Sequence, residues 1–146
     1  MNIILNSYCN LKCNYCFADD YMEETVRTPG KSMEFDYFTR ELLPKIKNSP
    51  VINFMGGEPT LHPQFNEIFS QTFEAMPPFT SLGLFTNGLM GDKALDLLVS
   101  TAGRNGALKR KISFAVLLNW QTLDNISEKN HERCKEIAET FMRANG

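Results

Sequence analysis

The sequence predicts an α/β fold, a parallel sheet built from about four successive β/α units. Short apolar runs alternate along the chain with longer stretches in which apolar residues recur every three or four positions. The apolar runs are nearly continuous, which is typical of parallel strands that are covered on both faces. Because a strand is followed by a helix four times in succession, one sheet with right-handed crossovers is favoured.

Each predicted strand ends at a polar or glycine-containing turn. The first strand, Asn2 to Asn6, is followed by a cysteine cluster, and the second, Val51 to Met55, by Gly56-Gly57. The third, Ser81 to Phe85, is followed by Thr86-Asn87-Gly88, and the fourth, Lys111 to Leu118, by Asn119. Ligands of parallel sheets bind beyond the carboxyl ends of the strands. These four turns are therefore where a functional site is expected.

The four predicted helices each carry one apolar stripe. The stripes are Phe35, Phe38, Leu42 and Ile46; Phe65, Ile68, Phe69, Phe73 and Met76; Leu95, Leu98 and Ala102; and Cys134, Ile137, Ala138 and Phe141. Ser32, Asp92 and Ser127 are the expected caps of the first, third and fourth helices. Pro44 is expected to kink or shorten the first helix, and Gly103 to end the third.

The spacing of the units bears on the extent of the fold. The predicted strands begin near positions 2, 51, 81 and 111, and the later steps match the roughly 31 residues per unit of an eight-unit TIM-type barrel. The first unit is longer, and we interpret residues 17–31 as an enlarged loop around the cysteine cluster. Four units cannot close a barrel, so we expect residues 1–146 to be one domain that either has an open sheet or is part of a larger chain.

Composition excludes several classes of function. The chain has 15 Lys and Arg against 17 Asp and Glu, a net charge of −2, and so lacks the basic excess of nucleic-acid-binding proteins. No apolar stretch reaches the ~18–20 residues of a membrane span. The start of the chain, MNIILNSYC, has an apolar run too short for a secretory signal. We therefore expect a cytoplasmic protein with neither a nucleic-acid nor a membrane partner.

Three of the four cysteines are crowded into one short segment. Cys9, Cys13 and Cys16 form the pattern C-x-x-x-C-x-x-C directly after the first predicted strand, whereas Cys134 belongs to an apolar stripe. Thiolates are soft ligands that suit iron–sulfur clusters and zinc. A cubane cluster held by three thiolates leaves one iron with an open position, which can bind a substrate.

Two other interpretations of the cysteines stay open. One is an electron-transfer iron–sulfur protein that uses a cluster without a further cofactor. The other is a zinc-stabilised binding module, in which Cys134, His62 or His131 would supply the fourth ligand. Free cysteine is usually buried, so Cys134 is expected in the core. We expect His62 to act at a turn or cap, and His131 to lie on a solvated face.

Taken together, the motifs resemble those of the radical S-adenosylmethionine (radical SAM) superfamily. Three elements match in chain order: C-x-x-x-C-x-aromatic-C with Tyr15 as the aromatic residue, Gly56-Gly57-Glu58-Pro59 as the G-G-E-P motif, and, more weakly, Thr86-Asn87-Gly88. The resemblance covers most of the chain. It implies the amino-terminal part of a radical SAM core domain, folded as a partial TIM-like barrel.

The resemblance also implies the chemistry. Cys9, Cys13 and Cys16 would ligate a [4Fe-4S] cluster whose unique iron binds the amino and carboxylate groups of S-adenosylmethionine. One electron from the cluster would cleave the sulfonium S–C bond and release methionine and a 5′-deoxyadenosyl radical, which abstracts hydrogen from a substrate. The implied partner is a reductant such as flavodoxin or ferredoxin. A peptide or protein substrate is expected, because this motif combination is widespread among enzymes that modify them.

The G-G-E-P turn has a physical interpretation beside the resemblance. Gly56 and Gly57 allow the backbone to approach a ligand closely and to adopt an unusual φ. Glu58 and nearby carbonyl groups would solvate the ammonium group of the cofactor. Pro59 would rigidify the turn. The alternative is that the motif is only a tight connection between a strand and a helix.

Four further residues are candidate cofactor contacts. Tyr15 and Phe17 are expected either to pack on the adenine or to cover the metal site. Asn87 would bind the cofactor by a hydrogen bond or simply form an Asn-Gly turn. Asn119 stands where the superfamily often has a serine and an acidic residue, and it is expected to supply a polar contact instead.

Overall fold

A computed structural model describes residues 1–11, 13, 16, 32–107, 113–118 and 127–145, the side chains of 106–107, 113–118 and 145 excepted. The strands are β1 (Asn2–Ile4), β2 (Val51–Met55), β3 (Ser81–Thr86) and β4 (Ser113–Leu118). They form one parallel sheet in the order β1-β2-β3-β4. The predicted α/β class is confirmed, and the arrangement is consistent with a partial TIM-like barrel.

The helices lie between the strands, as the apolar stripes predicted. The first, α1, consists of an α-helical turn, a π-helical turn and a second α-helical turn: Phe35–Tyr37, Phe38–Leu42 and Leu43–Ile46. The others are α2 (Phe65–Ala75), α3 (Asp92–Ala107) and α4 (Glu128–Asn145). A short 3₁₀ turn, Pro59–Leu61, precedes α2.

Three predicted helix boundaries are wrong: the caps Ser32 and Asp92, and the end at Gly103. Ser32 does not cap α1, because it forms an isolated antiparallel bridge with Asn6 and Glu34 occupies the N-cap position. Gly103 does not end α3, which continues to Ala107. A glycine inside a helix costs only about 0.5–1 kcal/mol relative to alanine, so packing of the rest of the helix outweighs it.

Pro44 shapes α1 without ending it. Proline has no N–H group, and its ring clashes with the carbonyl four residues earlier in a regular helix. The π-helical turn Phe38–Leu42 stands just before Pro44, and its wider backbone accommodates the ring. The prediction of a local distortion is thus right, whereas the helix is not shortened there, since it continues to Ile46.

The start of α4 agrees with its sequence. Ser127 Oγ accepts a hydrogen bond from the Asn130 backbone N–H at 3.4 Å, and the Ser127 carbonyl accepts from the His131 backbone N–H at 2.9 Å. Ser127 is therefore the cap, as predicted. Asp92 is the first residue of α3 rather than its cap, because the Gly91 carbonyl accepts from the Ala94 and Leu95 N–H groups. Its carboxylate still complements the positive end of the helix dipole.

The core lies between the helices and one face of the sheet. Side chains on this face are buried, namely Ile3, Ile52, Phe54, Leu82 and Leu84. Phe69 of α2 packs on Phe54, with ring centroids 5.9 Å apart. The other face includes Ile4, Val51 and Phe85, which are 56%, 41% and 41% exposed. The strands β1, β2 and β3 are thus covered on one face, whereas the sequence predicted cover on both. None of the described helices combines the length and apolar character needed to cross a membrane.

Candidate cofactor site

The segment that carries the cysteines is hydrogen-bonded to the turn after β2. The Gly57 N–H donates to the Asn6 carbonyl at 3.0 Å, and the Glu58 N–H donates to the Tyr8 carbonyl at 2.8 Å. Because β1 and β2 are parallel neighbours, both chains leave the sheet at the same edge. The pairing therefore continues past the strands and fixes the start of the cysteine segment (residues 9–16).

The two glycines of this turn are required by the close approach of the chain itself. Gly56 has a φ of +145°, and a Cβ atom built on it would lie 2.4 Å from the Asn6 carbonyl oxygen. A Cβ on Gly57 would lie 2.2 Å from the Tyr8 carbonyl oxygen and 3.1 Å from Cys9 Cβ. Only a residue without a side chain fits either position.

Glu58 is the centre of a buried hydrogen-bond network. Its side chain is 0% exposed. Oε1 accepts from Thr60 Oγ1 at 2.6 Å, from Thr60 N at 3.2 Å and from Thr86 Oγ1 at 2.8 Å, and Oε2 accepts from Asn87 N at 2.7 Å. The carboxylate therefore joins the turn after β2 to the end of β3, a role that the sequence did not indicate.

Burial shifts the ionisation of the groups around this network. Burial raises the pKa of Glu58 above its ordinary value, and the hydrogen bonds from Thr60, Asn87 and Thr86 oppose that rise. Burial also raises the pKa of the Cys9 thiol, opposed by the Leu11 N–H. Metal binding requires the thiolate, so binding of iron at Cys9 would displace the proton of its thiol.

Asn87 contacts the cysteine segment from the turn after β3. Its Nδ2 donates to Asn10 Oδ1 at 2.7 Å and lies 3.6 Å from Cys9 Sγ. Its Oδ1 accepts from the Leu89 N–H at 2.8 Å, which is the geometry of an Asx turn. Asn10 Nδ2 in turn donates to the Leu89 carbonyl at 3.0 Å. Asn87 thus forms the predicted turn and, in addition, holds the cysteine segment.

The three clustered cysteines have free thiols of intermediate burial. Cys9 Sγ accepts from the Leu11 N–H at 3.4 Å, and the Cys16 N–H donates to the Cys13 carbonyl at 3.2 Å. Within the part of the chain that the structure describes, no three His, Cys, Asp or Glu side chains converge closely enough to hold a metal ion. The donor set nevertheless suits an iron–sulfur cluster, because it consists of three thiols with N–H donors on one of them.

The remaining sequence candidates fall into two groups. Pro59 is buried and begins the 3₁₀ turn, whereas Tyr15, Phe17 and Asn119 lie outside the described residues. Cys134 is buried on α4, as expected, at 2% exposure.

His62 is a buried turn residue, as predicted, rather than a candidate ligand. Its Nδ1 accepts from the Gln64 N–H at 3.0 Å, and its Nε2 lies 2.8 Å from the Met33 carbonyl oxygen. Both ring nitrogens are therefore engaged. His131 is exposed, as expected.

A sequence model of the Radical SAM superfamily matches residues 3–142. The chain belongs to the radical SAM superfamily. Members of this superfamily are enzymes that use a [4Fe-4S] cluster and S-adenosylmethionine. The family, the enzyme class and the cofactors predicted from the motifs are therefore confirmed at the level of the superfamily.

The chain is also similar to three curated proteins. The chain is 34% identical to a GTP 3′,8-cyclase of Chlorobaculum tepidum over 98% of its own length and 40% of the relative. It is 31% identical to a GTP 3′,8-cyclase of Microcystis aeruginosa over 67% of the chain and 30% of the relative. It is 34% identical to the tungsten-containing aldehyde ferredoxin oxidoreductase cofactor-modifying protein of Pyrococcus furiosus, over 62% and 24%. The chain thus spans at most 40% of these relatives. No solved structure matches it significantly.

Four polar residues of the site received no individual role in the sequence analysis, although Thr86 belongs to one of the motifs. They are Asn6, Asn10, Thr60 and Thr86. Each stands within a few residues of a predicted strand end or a radical SAM motif. Polar side chains at the carboxyl edge of a parallel sheet are the signal that indicates such positions.

Proposed function

We propose that the protein is a radical SAM enzyme and that residues 1–146 form the amino-terminal part of its core domain. Cys9, Cys13 and Cys16 would hold the [4Fe-4S] cluster, and the turns after β2 and β3 would hold S-adenosylmethionine. When bound, the two groups supply reductive cleavage of the sulfonium to a 5′-deoxyadenosyl radical, which abstracts hydrogen from a substrate. The observation that most strongly supports this proposal is that the cysteine segment is hydrogen-bonded to both turns at the carboxyl edge of the sheet.

The residues of the chain prepare this edge before any cofactor binds. Gly56 and Gly57 let the cysteine segment lie directly on the turn after β2. Glu58 holds that turn against Thr86 and Asn87 at the end of β3. These contacts are already made in the protein without a cofactor. Binding therefore costs less conformational entropy, which favours affinity.

The other proposed cofactor contacts are the backbone of the Gly56–Pro59 turn, the side chains of Tyr15 and Phe17, and the amides of Asn87 and Asn119. The Glu58 carboxylate is already satisfied by four protein donors. We therefore assign the solvation of the cofactor ammonium to the carbonyl groups of the turn rather than to this carboxylate.

For the substrate, we propose a nucleotide, with GTP as the first candidate. Two of the relatives are named for GTP and the third for the modification of a cofactor. The predicted peptide or protein substrate has no support among them. The chain aligns with at most 40% of these relatives.

The proposed electron donor is a small redox protein such as flavodoxin or ferredoxin. Cluster assembly needs reduced thiols, and all three clustered cysteines are free. A reducing compartment such as the cytoplasm suits this chemistry.

The experiment is anaerobic reconstitution of the full chain with iron and sulfide, followed by dithionite, S-adenosylmethionine and GTP. We expect bound iron and sulfide and the formation of 5′-deoxyadenosine, measured by mass spectrometry. Cys13→Ser should abolish both, whereas the matched variant Cys134→Ser should retain the cluster. A reducible cluster without 5′-deoxyadenosine would favour an electron-transfer protein, and zinc without iron or sulfide would favour a binding module.

A further inference from the structure

The Asn87 side chain is oriented by contacts on both sides of its peptide unit. The Asn87 N–H donates to Glu58 Oε2 at 2.7 Å, and its carbonyl accepts from the Cys134 thiol at 3.3 Å. Its Oδ1 accepts from the Leu89 N–H at 2.8 Å. Since Oδ1 is used in this way, the orientation of the amide is set, and Nδ2 is directed toward the cysteine segment.

The amide nitrogen has two hydrogens and two acceptors within reach. Asn10 Oδ1 lies 2.7 Å from Asn87 Nδ2, and Cys9 Sγ lies 3.6 Å from it, a usual separation for a hydrogen bond to sulfur. The Leu11 N–H reaches the same sulfur at 3.4 Å. The sulfur of Cys9 therefore receives one donor from its own segment and one from the end of β3.

We propose that Asn87 is a positioning residue that sets the reduction potential of the cluster through its hydrogen bond to the Cys9 sulfur. The inference rests on the proposed function, since it requires Cys9 to be a cluster ligand. Hydrogen bonds to ligand sulfurs are among the factors that set the potentials of iron–sulfur clusters. The reduced cluster has the greater negative charge, so an N–H donor stabilises it more than the oxidised cluster and raises the potential.

The fixed peptide unit makes this donor different from a surface contact. Glu58 ties Asn87 to the turn after β2, and Cys134 ties it to α4. A donor held in this way does not have to reorganise when the cluster gains an electron. Its effect on the potential is therefore expected in the resting protein, independently of any substrate.

The test is a redox titration of the reconstituted full chain, followed by electron paramagnetic resonance. Asn87→Ala and Asn87→Asp both remove the amide donor, and Asn87→Asp keeps the oxygen that Leu89 needs. We expect the equilibrium constant for one-electron reduction to fall several-fold in both, a tenfold fall being about 59 mV. Asn66→Ala is the matched control, since it removes a side-chain amide whose hydrogen bond, to the Lys93 carbonyl at 3.5 Å, joins α2 to α3, and it should change the constant less than twofold.

A second measurement uses the unmodified protein. With ¹⁵N-labelled asparagine, the reduced cluster should show hyperfine coupling to an asparagine amide nitrogen and to an exchangeable proton. Absence of that coupling, an unchanged potential in both Asn87 variants, or an equal shift in Asn66→Ala would overturn the role of Asn87 while leaving the cluster proposal intact. Failure of the unmodified chain to assemble a four-iron cluster would overturn both.

Discussion

Space, rather than chemistry, dictates glycine at position 57. The Cβ of an alanine there would lie 2.2 Å from the Tyr8 carbonyl oxygen and 2.6 Å from its carbon, so the cysteine segment would have to move. We expect Gly57→Ala to lower the free energy of unfolding by about 1–3 kcal/mol and to reduce the iron bound after reconstitution. Urea unfolding and iron analysis measure the two effects.

Gly91→Ala provides the matched control for this substitution. Nothing lies within 4 Å of a Cβ built on Gly91, so the substitution causes no clash, and its stability should fall by no more than about 1 kcal/mol, the cost of alanine at a helix N-cap. Normal iron content in Gly57→Ala would show that the segment tolerates displacement and would contradict the steric argument.

Thr86 is the buried hydroxyl that connects Glu58 to the end of β3. Its Oγ1 donates to Glu58 Oε1 at 2.8 Å and accepts from the Gly88 N–H at 3.1 Å. Thr86→Val keeps the shape but leaves both partners without this contact, so we expect a loss of about 1–3 kcal/mol. Thermal or urea unfolding measures it.

Thr72→Val is the corresponding substitution at a position with little to lose. Thr72 Oγ1 donates to the Ile68 carbonyl within α2. In an α-helix the same carbonyl also accepts the hydrogen bond of the Thr72 backbone N–H, so the substitution does not leave it without a partner. We expect a change below about 1 kcal/mol. Equal losses in both threonine variants would argue that the Glu58 network adds no stability.

The raised pKa of Glu58 makes stability depend on pH. Between the ordinary carboxyl pKa of about 4.3 and the raised pKa of Glu58 in the folded chain, the folded protein keeps a proton that the unfolded chain has lost. The free energy of unfolding therefore decreases as the pH rises through this window. Glu58→Gln should lack this decrease.

Unfolding in urea at several pH values, without metal, measures the difference. Glu58→Gln should be less stable at every pH. The Asn87 N–H donates to Glu58 Oε2 at 2.7 Å, and the amide group of glutamine would place a second donor opposite this N–H. The informative quantity is the slope against pH, not the absolute stability. Identical slopes in the two proteins would exclude Glu58 as the titrating group.

At the scale of elements, α3 retains a weak position in its interior. Gly103 lies within Asp92–Ala107, and a Cβ built on it would meet nothing within 4 Å. We expect Gly103→Ala to raise the free energy of unfolding by about 0.5–1 kcal/mol, because alanine loses less backbone entropy in a helix. The midpoint of thermal unfolding should increase. A decrease would mean that the glycine serves a contact beyond the described residues.

The sequence predicted the elements best where one periodic pattern decided them. The bounds of β2 agree with the prediction, and the five stripe residues of α2 are buried, Phe65, Ile68, Phe69, Phe73 and Met76. Prediction from the sequence failed where a local signal competed with tertiary structure. Ser32 is a good N-cap by type, but it forms a bridge with Asn6 instead, and such a long-range contact has no signature in a local window.

At the scale of the whole molecule, the motifs located the site but not its internal bonds. Parallel strands bring the three turns to one edge, and this followed from the order of the motifs. The partners of Glu58 did not, since Thr86 is separated from it by 28 positions. A carboxylate beside a proposed ammonium site suggested a ligand contact, whereas the fold uses it to join two strand ends.

Cluster assembly should stabilise the whole sheet and not only the cysteine segment. A ligand that binds only the folded state raises its stability by mass action, and the segment is bonded to the turn after β2 through the Gly57 and Glu58 amides. We expect the reconstituted chain to unfold at a higher temperature than the metal-free chain, and Cys13→Ser to show no such increase.

Hydrogen exchange can locate this stabilisation within the sheet. The Gly57 and Glu58 amides donate to the cysteine-bearing chain, whereas the Ser81 amide donates to the Pro50 carbonyl at the opposite edge. Exchange can occur by local opening at some sites, whereas exchange in the core requires global unfolding. Protection should therefore increase more at Gly57 and Glu58 than at Ser81. If the unfolding temperature increases but the protection of the Gly57 and Glu58 amides does not, the cluster is not coupled to the sheet through these hydrogen bonds.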